Sequence, residues 1–189
     1  MQAMNPAPNL ILIGPMGAGK TSIGRRLADR FGLRFVDLDR EIEIEAKRKI
    51  PEIFSIEGEA SFRRRERECL AAWLQERDVL IATGGGAVLD ADNRAGMRAH
   101  GFVVHLHVGI DEQLARLARD RSRPLLATDD RSEVLRRLAA ERSPLYAEIA
   151  DLRFEPTGLT LPETCGRLAV LLRDRWQIAP HPPSETAPA

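Results

Sequence analysis

Short apolar runs alternate with longer helical patterns along this chain. Leu10, Ile11, Leu12 and Ile13 form an unbroken apolar stretch, which predicts a strand over residues 10–13 buried on both faces. Ile23, Leu27 and Phe31 recur at helical spacing and predict a helix over 20–31, stopped by Gly32. A second strand is expected over 33–39, closing on Asp37 and Asp39. Charged helical patterns follow at about 40–48 and 59–77, with a short helix over 50–55 opened by Pro51. Further strands are expected at 78–83, 102–108 and 152–154, and helices at about 90–99, 111–119, 131–140, 144–149 and 164–176.

Strands alternating with helices predict an α/β fold, a parallel sheet with helices on both faces. Right-handed crossovers gather the carboxyl ends of the strands on one edge, where ligands bind. Residues 40–77 exceed a simple crossover and are expected to form a flap over a ligand at this edge. Residues 120–130 carry turn residues and charges and are expected to close as a lid. Residues 1–8 and the tail 179–189, with its four prolines, are expected to be disordered, leaving one domain over 9–178.

The segment Gly14-Pro15-Met16-Gly17-Ala18-Gly19-Lys20-Thr21 fits the phosphate-binding pattern GxxxxGK[ST] in its required strand–loop–helix setting. Its glycines let the backbone wrap closely, so that N–H groups from Gly14, Gly17, Ala18, Gly19 and the start of the helix at Lys20, Thr21 and Ser22 can face phosphate oxygens. Lys20 can reach the β/γ-phosphates, and the Thr21 hydroxyl can ligate Mg²⁺. The flap over 40–77 is then expected to bind a phosphoryl acceptor and the lid over 120–130 to cover the nucleotide, since water would compete as acceptor.

Composition narrows the field. The 189 residues carry 28 Lys+Arg against 28 Asp+Glu, and a formal charge of zero argues against a general nucleic-acid binder. Lysine occurs only at 20, 47 and 49, so Lys20 is not one of many surface lysines. Cys69 and Cys165 give neither a disulfide framework nor metal spacing; as small buried hydrophobes they fit a reducing cytosol. No signal peptide or membrane span is visible, so a cytoplasmic protein is expected.

Other residues supply candidate chemistry. Asp37 and Asp39, at i and i+2, are expected to project from one strand face, one carboxylate serving Mg²⁺ through water and the other an acceptor hydroxyl. Gly84-Gly85-Gly86 follows the third strand and leaves backbone N–H groups open to a ligand. In the run from Phe62 to Glu68 most charges read as a solvated helix face, with Glu59 and Arg63 an i,i+4 pair; one arginine can point inward, oriented by Glu66, but spacing does not say which. Arg123 and Arg142 each shortly precede a Pro-Leu, and their planar forks suit carboxylates and phosphates. His105 and His107 share a strand face, where packing is the expected role, and Trp73 and Trp176 read as core.

Together these segments resemble the shikimate kinase family: GPMGAGKTSIGR (14–25), Asp37-Leu38-Asp39, Gly58-Glu59 followed by Phe62-Arg63, ATGGGAV (82–88), RPLL (123–126) and ERSPLY (141–146). The resemblance spans about residues 9–176 and implies a three-layer P-loop kinase with a five-stranded parallel sheet in the order 2-3-1-4-5. It implies a monomer that uses ATP and one Mg²⁺ to phosphorylate the 3-hydroxyl of shikimate. By motif, Asp37 resembles the outer-sphere Mg²⁺ acid and Asp39 the residue that orients or deprotonates the acceptor. Arg63 and Arg142 match the arginines that grip the shikimate carboxylate, with Glu66 beside Arg63 and Gly85 as a substrate contact. Arg123 matches the lid arginine, and Arg116 sits where the family often places an arginine against adenine. The order Thr21-Ser22 replaces the commoner Ser-Thr, and no late ATP-contacting arginine matches near Leu159 to Pro162. Gluconate and nucleoside-monophosphate kinases share the fold but lack the combined motif set. A non-catalytic member would have lost Lys20, Asp39, Arg63 or Arg142, and all four are present.

Overall fold

A computed structural model describes residues 7–118 and 130–176. Five strands, β1 (Asn9–Ile13), β2 (Arg34–Asp37), β3 (Val79–Ala82), β4 (Gly101–Leu106) and β5 (Leu152–Phe154), pair in parallel in the order β2-β3-β1-β4-β5. The helices are α1 (Lys20–Phe31), α2 (Leu38–Ala46), α3 (Ile50–Leu74), α4 (Ala91–His100), α5 (Ile110–Leu117), α6 (Arg131–Ile149) and α7 (Leu161–Arg175).

The pleat of β1 divides the core in two. Leu10 and Leu12 face one side with Leu27, Leu80, Phe102, Val104 and Leu168. Ile11 and Ile13 face the other with Ile42, Leu70, Ile81, Val103 and Tyr146. Every β1 residue is buried, as an apolar run covered on both faces requires. Gly24 lets α1 lie close on the sheet: a Cβ there would stand 2.7 Å from Phe35 Cε2 and 3.1 Å from Leu80 Cδ2. The core begins at Ala7, which is buried and whose carbonyl accepts the Trp176 indole N–H at 2.8 Å.

Three features depart from the sequence reading. The second strand ends at Asp37, and Asp39 lies in the first turn of α2, so the two carboxylates do not share a strand face. The cause is local: Asp37 caps α2, its Oδ1 accepting the Arg40 N–H at 3.4 Å, and the chain turns helical at Leu38. The helices expected at 131–140 and 144–149 are one continuous helix with Pro144 inside. Arg142, Tyr146 and Ile149 are buried along a single face, and that packing offsets the hydrogen bond Pro144 cannot make. Last, α7 opens at Leu161, because Thr160 and Glu163 form a capping box ahead of it.

Candidate active site

The carboxyl ends of the strands open onto a cleft of about 1180 Å³. The glycine loop runs along one wall, and α2, α3, the Gly84–Gly86 turn and Arg142 form the other. Gly14, Gly17 and Gly19 all have positive φ, at 140°, 78° and 86°. Gly14 has no room for a side chain, since a Cβ would collide with the Leu106 carbonyl. Gly19 caps α1 in the left-handed conformation, and no side chain caps that helix end, as a phosphate cradle needs. Lys20 Nζ lies across the loop, donating to the Gly14 and Pro15 carbonyls at 2.7 and 2.8 Å. The Thr21 hydroxyl donates to Asp37 Oδ2 at 2.7 Å, which brings together the two oxygen groups read as Mg²⁺ partners. Both are hard oxygen donors and fit Mg²⁺, which keeps most of its ligands as water and substrate oxygens.

The opposite wall gathers the acceptor candidates. Gly58, with φ 81° and ψ 169°, breaks α3 into two helical pieces. The second piece settles which arginine of the run faces the cleft. Arg65 pairs with Glu57 at 3.0 Å, Arg64 reaches Ser61 at 3.2 Å, and Arg67 pairs with Asp90 at 3.5 Å. Arg63 lines the cleft, held by Glu66 at 2.7 Å and Glu59 at 3.2 Å. Glu66 is 1% exposed; burial pushes its carboxyl above the usual range, against the pull of Arg63. Burial works to lower Arg63, but Glu66 and Glu59 hold it raised and so firmly charged.

The glycine triplet is the hub of this wall. A Cβ on Gly84 would stand 2.7 Å from Glu66 Oε1 and 3.0 Å from Asp39 Oδ1. One on Gly85 would stand 3.6 Å from Arg142 Nη1 and 3.4 Å from the Gly14 carbonyl, and one on Gly86 would collide with the Arg63 guanidinium. Gly84 and Gly86 have no room for a side chain because Glu66, Asp39 and Arg63 close around the turn, whereas Gly85 stands at ordinary contact distance from Arg142 and the glycine loop. Arg142 is 5% exposed, with Glu141 3.7 Å from Nε. Arg142 Nε and Glu66 Oε1 have no hydrogen-bond partner among the described residues, although both are buried at a polar cleft. Two positive guanidinium groups beside bare backbone suit a carboxylate-bearing acceptor.

Arg116 lies on the glycine-loop side, donating to the Gly17 carbonyl at 2.8 Å and pairing with Glu112. Glu112 also accepts the Thr157 hydroxyl at 2.6 Å, which ties α5 to the loop after β5. Arg123 and the expected lid fall outside the described residues except for residue 130, and Ser22 stands on the cleft margin at the start of α1. His105 and His107 stand 5.7 Å apart by ring centroid, and no metal-binding group of three or more His, Cys, Asp or Glu occurs among the described residues. His105 is buried, and that burial lowers its pKa to about 4, keeping the ring neutral.

Sequence reasoning missed Tyr146, whose hydroxyl donates to the Gly85 carbonyl at 2.5 Å. Its position one helical turn after Arg142 was the available signal.

Comparison with known proteins agrees with this geometry. The family model described as shikimate kinase matches residues 16–168. A shikimate kinase of Stenotrophomonas maltophilia is 58% identical over 174 residues, covering 92% of this chain and 97% of the relative. One from Xanthomonas axonopodis pv. citri is 53% identical, covering 95% of this chain and 99% of its own. Among solved structures, shikimate kinase from Acinetobacter baumannii in complex with shikimate superposes with a TM-score of 0.86 at 40% identity, covering 89% of this chain and 94% of that one. The Aquifex aeolicus enzyme gives 0.77 at 29% identity, covering 87% and 96%. A phosphate-cradling loop, an acidic pair beside it and two arginines around a glycine turn thus occur in a chain that belongs to the shikimate kinase family.

Proposed function

We propose that this protein transfers the γ-phosphate of ATP to the 3-hydroxyl of shikimate, giving shikimate 3-phosphate and ADP on the route to chorismate and the aromatic amino acids. One observation carries the reading: Asp39, Glu66, Arg63 and Arg142 converge on the glycine triplet across a cleft from the glycine loop. That arrangement holds a phosphate donor on one wall and a hydroxylated carboxylate on the other.

Each residue then has a task. The loop N–H groups and Lys20 hold the ATP phosphates, and Lys20 moves from the Gly14 and Pro15 carbonyls to do so. Thr21 and, through water, Asp37 would hold Mg²⁺, which neutralises charge on the β- and γ-phosphates. Arg63 and Arg142 fix the acceptor carboxylate, with Glu66 holding Arg63 in place. Asp39 accepts a hydrogen bond from the acceptor hydroxyl and aims it at the γ-phosphate; with a loose transition state, aim matters more than full deprotonation. The resemblance assigns Arg123 to the phosphates and Arg116 to the adenine side. The same reading makes the protein a cytoplasmic monomer; no helix among the described residues is long and apolar enough to cross a membrane.

A coupled ADP-release assay with shikimate, gluconate and nucleoside monophosphates, each with and without Mg²⁺, tests the proposal. Mg²⁺-dependent release with shikimate alone is expected, and turnover of gluconate but not shikimate would refute it.

A further inference from the structure

Tyr146 is the only tyrosine of the chain and is 2% exposed. It follows Arg142 by one turn of α6, so both project from the same helix face toward the glycine triplet. Its hydroxyl donates to the Gly85 carbonyl at 2.5 Å, and the Arg142 guanidinium lies near enough to the phenol to act on it. The ring rests on His105, with centroids 4.8 Å apart and planes 30° from parallel. His105 stands on β4 opposite Ile13, the residue that leads into the glycine loop, and neither ring nitrogen has a hydrogen-bond partner among the described residues. The imidazole therefore serves as a flat packing surface.

A hydroxyl fixed to that carbonyl has a geometric consequence. No peptide bond among the described residues is cis, and a trans peptide points its C=O and N–H in opposite directions. With the Gly85 carbonyl turned to Tyr146, the Gly86 N–H faces away from it, and Gly86 lies against the Arg63 guanidinium. We propose that Tyr146 is a positioning residue for the acceptor: its hydroxyl, backed by the His105 ring, fixes the Gly85–Gly86 peptide and steadies Arg142, so that the acceptor carboxylate meets donors already in place. The inference rests on the proposed function. Burial pushes the phenol up to about 12, so the hydroxyl keeps its proton and remains a donor at neutral pH.

The test is Tyr146→Phe, which keeps the ring and removes only the hydroxyl. Initial rates with varied shikimate and varied ATP are compared with those of the unaltered chain, alongside thermal unfolding. The loss of one net hydrogen bond should raise KM for shikimate about 3- to 10-fold, leaving KM for ATP within about twofold and lowering Tm by only a few degrees. An unchanged KM for shikimate, or equal weakening of both substrates with a large fall in Tm, would overturn the role. Absence of shikimate-dependent ADP release in the unaltered chain would overturn the proposed function as well, whereas an unaffected Tyr146→Phe would overturn this inference alone.

Discussion

Asp39 and Arg63 divide the acceptor side between aim and grip. Asp39→Asn should keep the fold and ATP binding but lower kcat by about 100-fold or more, the usual scale for a positioned acid–base group. Steady-state kinetics check this, and a wild-type kcat would contradict the role. Arg63→Ala removes a charge-assisted contact of about 1.5–3 kcal/mol, so KM for shikimate should rise roughly 10- to 150-fold while KM for ATP barely moves. Equal weakening of both would count against it. His105 adds a pH dependence. Its pKa drops from 6.5 to about 4 on folding, so the unfolded chain takes up this proton first. Its contribution is present above pH 6.5 and is lost as pH falls toward about 4. Unfolding temperatures measured across this window should fall less steeply for His105→Leu than for the unaltered chain. At this scale the sequence showed residue types but not directions. Nothing in the spacing of Arg63, Arg64, Arg65 and Arg67 separates them, because the choice depends on where α3 resumes after Gly58 and on which carboxylates lie nearby.

Among the elements, α3 is the one most shaped by a single backbone angle. Gly58 takes φ 81° and ψ 169°, a region almost closed to other residues, yet a Cβ there meets nothing within 4 Å. The cost of Gly58→Ala is therefore backbone strain, about 1–3 kcal/mol. Thermal unfolding should show a Tm several degrees lower, and KM for shikimate should rise because Arg63 and Glu66 follow the break; an unchanged Tm and KM would contradict this. Strand and helix identities were legible wherever periodicity was strong, as in β1 and α1. Boundaries were less so. An aspartate that ends a strand and one that caps a helix look alike in sequence, and Asp37 does both. Pro144 reads as a break, but the buried face of Arg142, Tyr146 and Ile149 outweighs it through tertiary contacts that no local pattern carries.

Across the whole molecule, the parallel sheet makes the site from distant segments. The segments at the carboxyl ends of β1, β2 and β3 deliver the phosphate cradle, the acidic pair and the glycine triplet to one edge, while α3 and α6 bring the arginines across. The fold class and this edge followed from alternating elements and the glycine loop. The Tyr146–Gly85 contact did not, because it joins residues 61 apart and depends on packing. The central claim is that the two walls join ATP to one hydroxyl of a carboxylate-bearing ring. Proton-coupled ³¹P NMR of a reaction containing ATP, Mg²⁺, shikimate and the protein tests this most directly. The account predicts one new phosphate monoester, coupled to the ring proton at carbon 3 and formed in step with ADP. Inorganic phosphate and ADP with shikimate unchanged, or an ester at another hydroxyl, would contradict it.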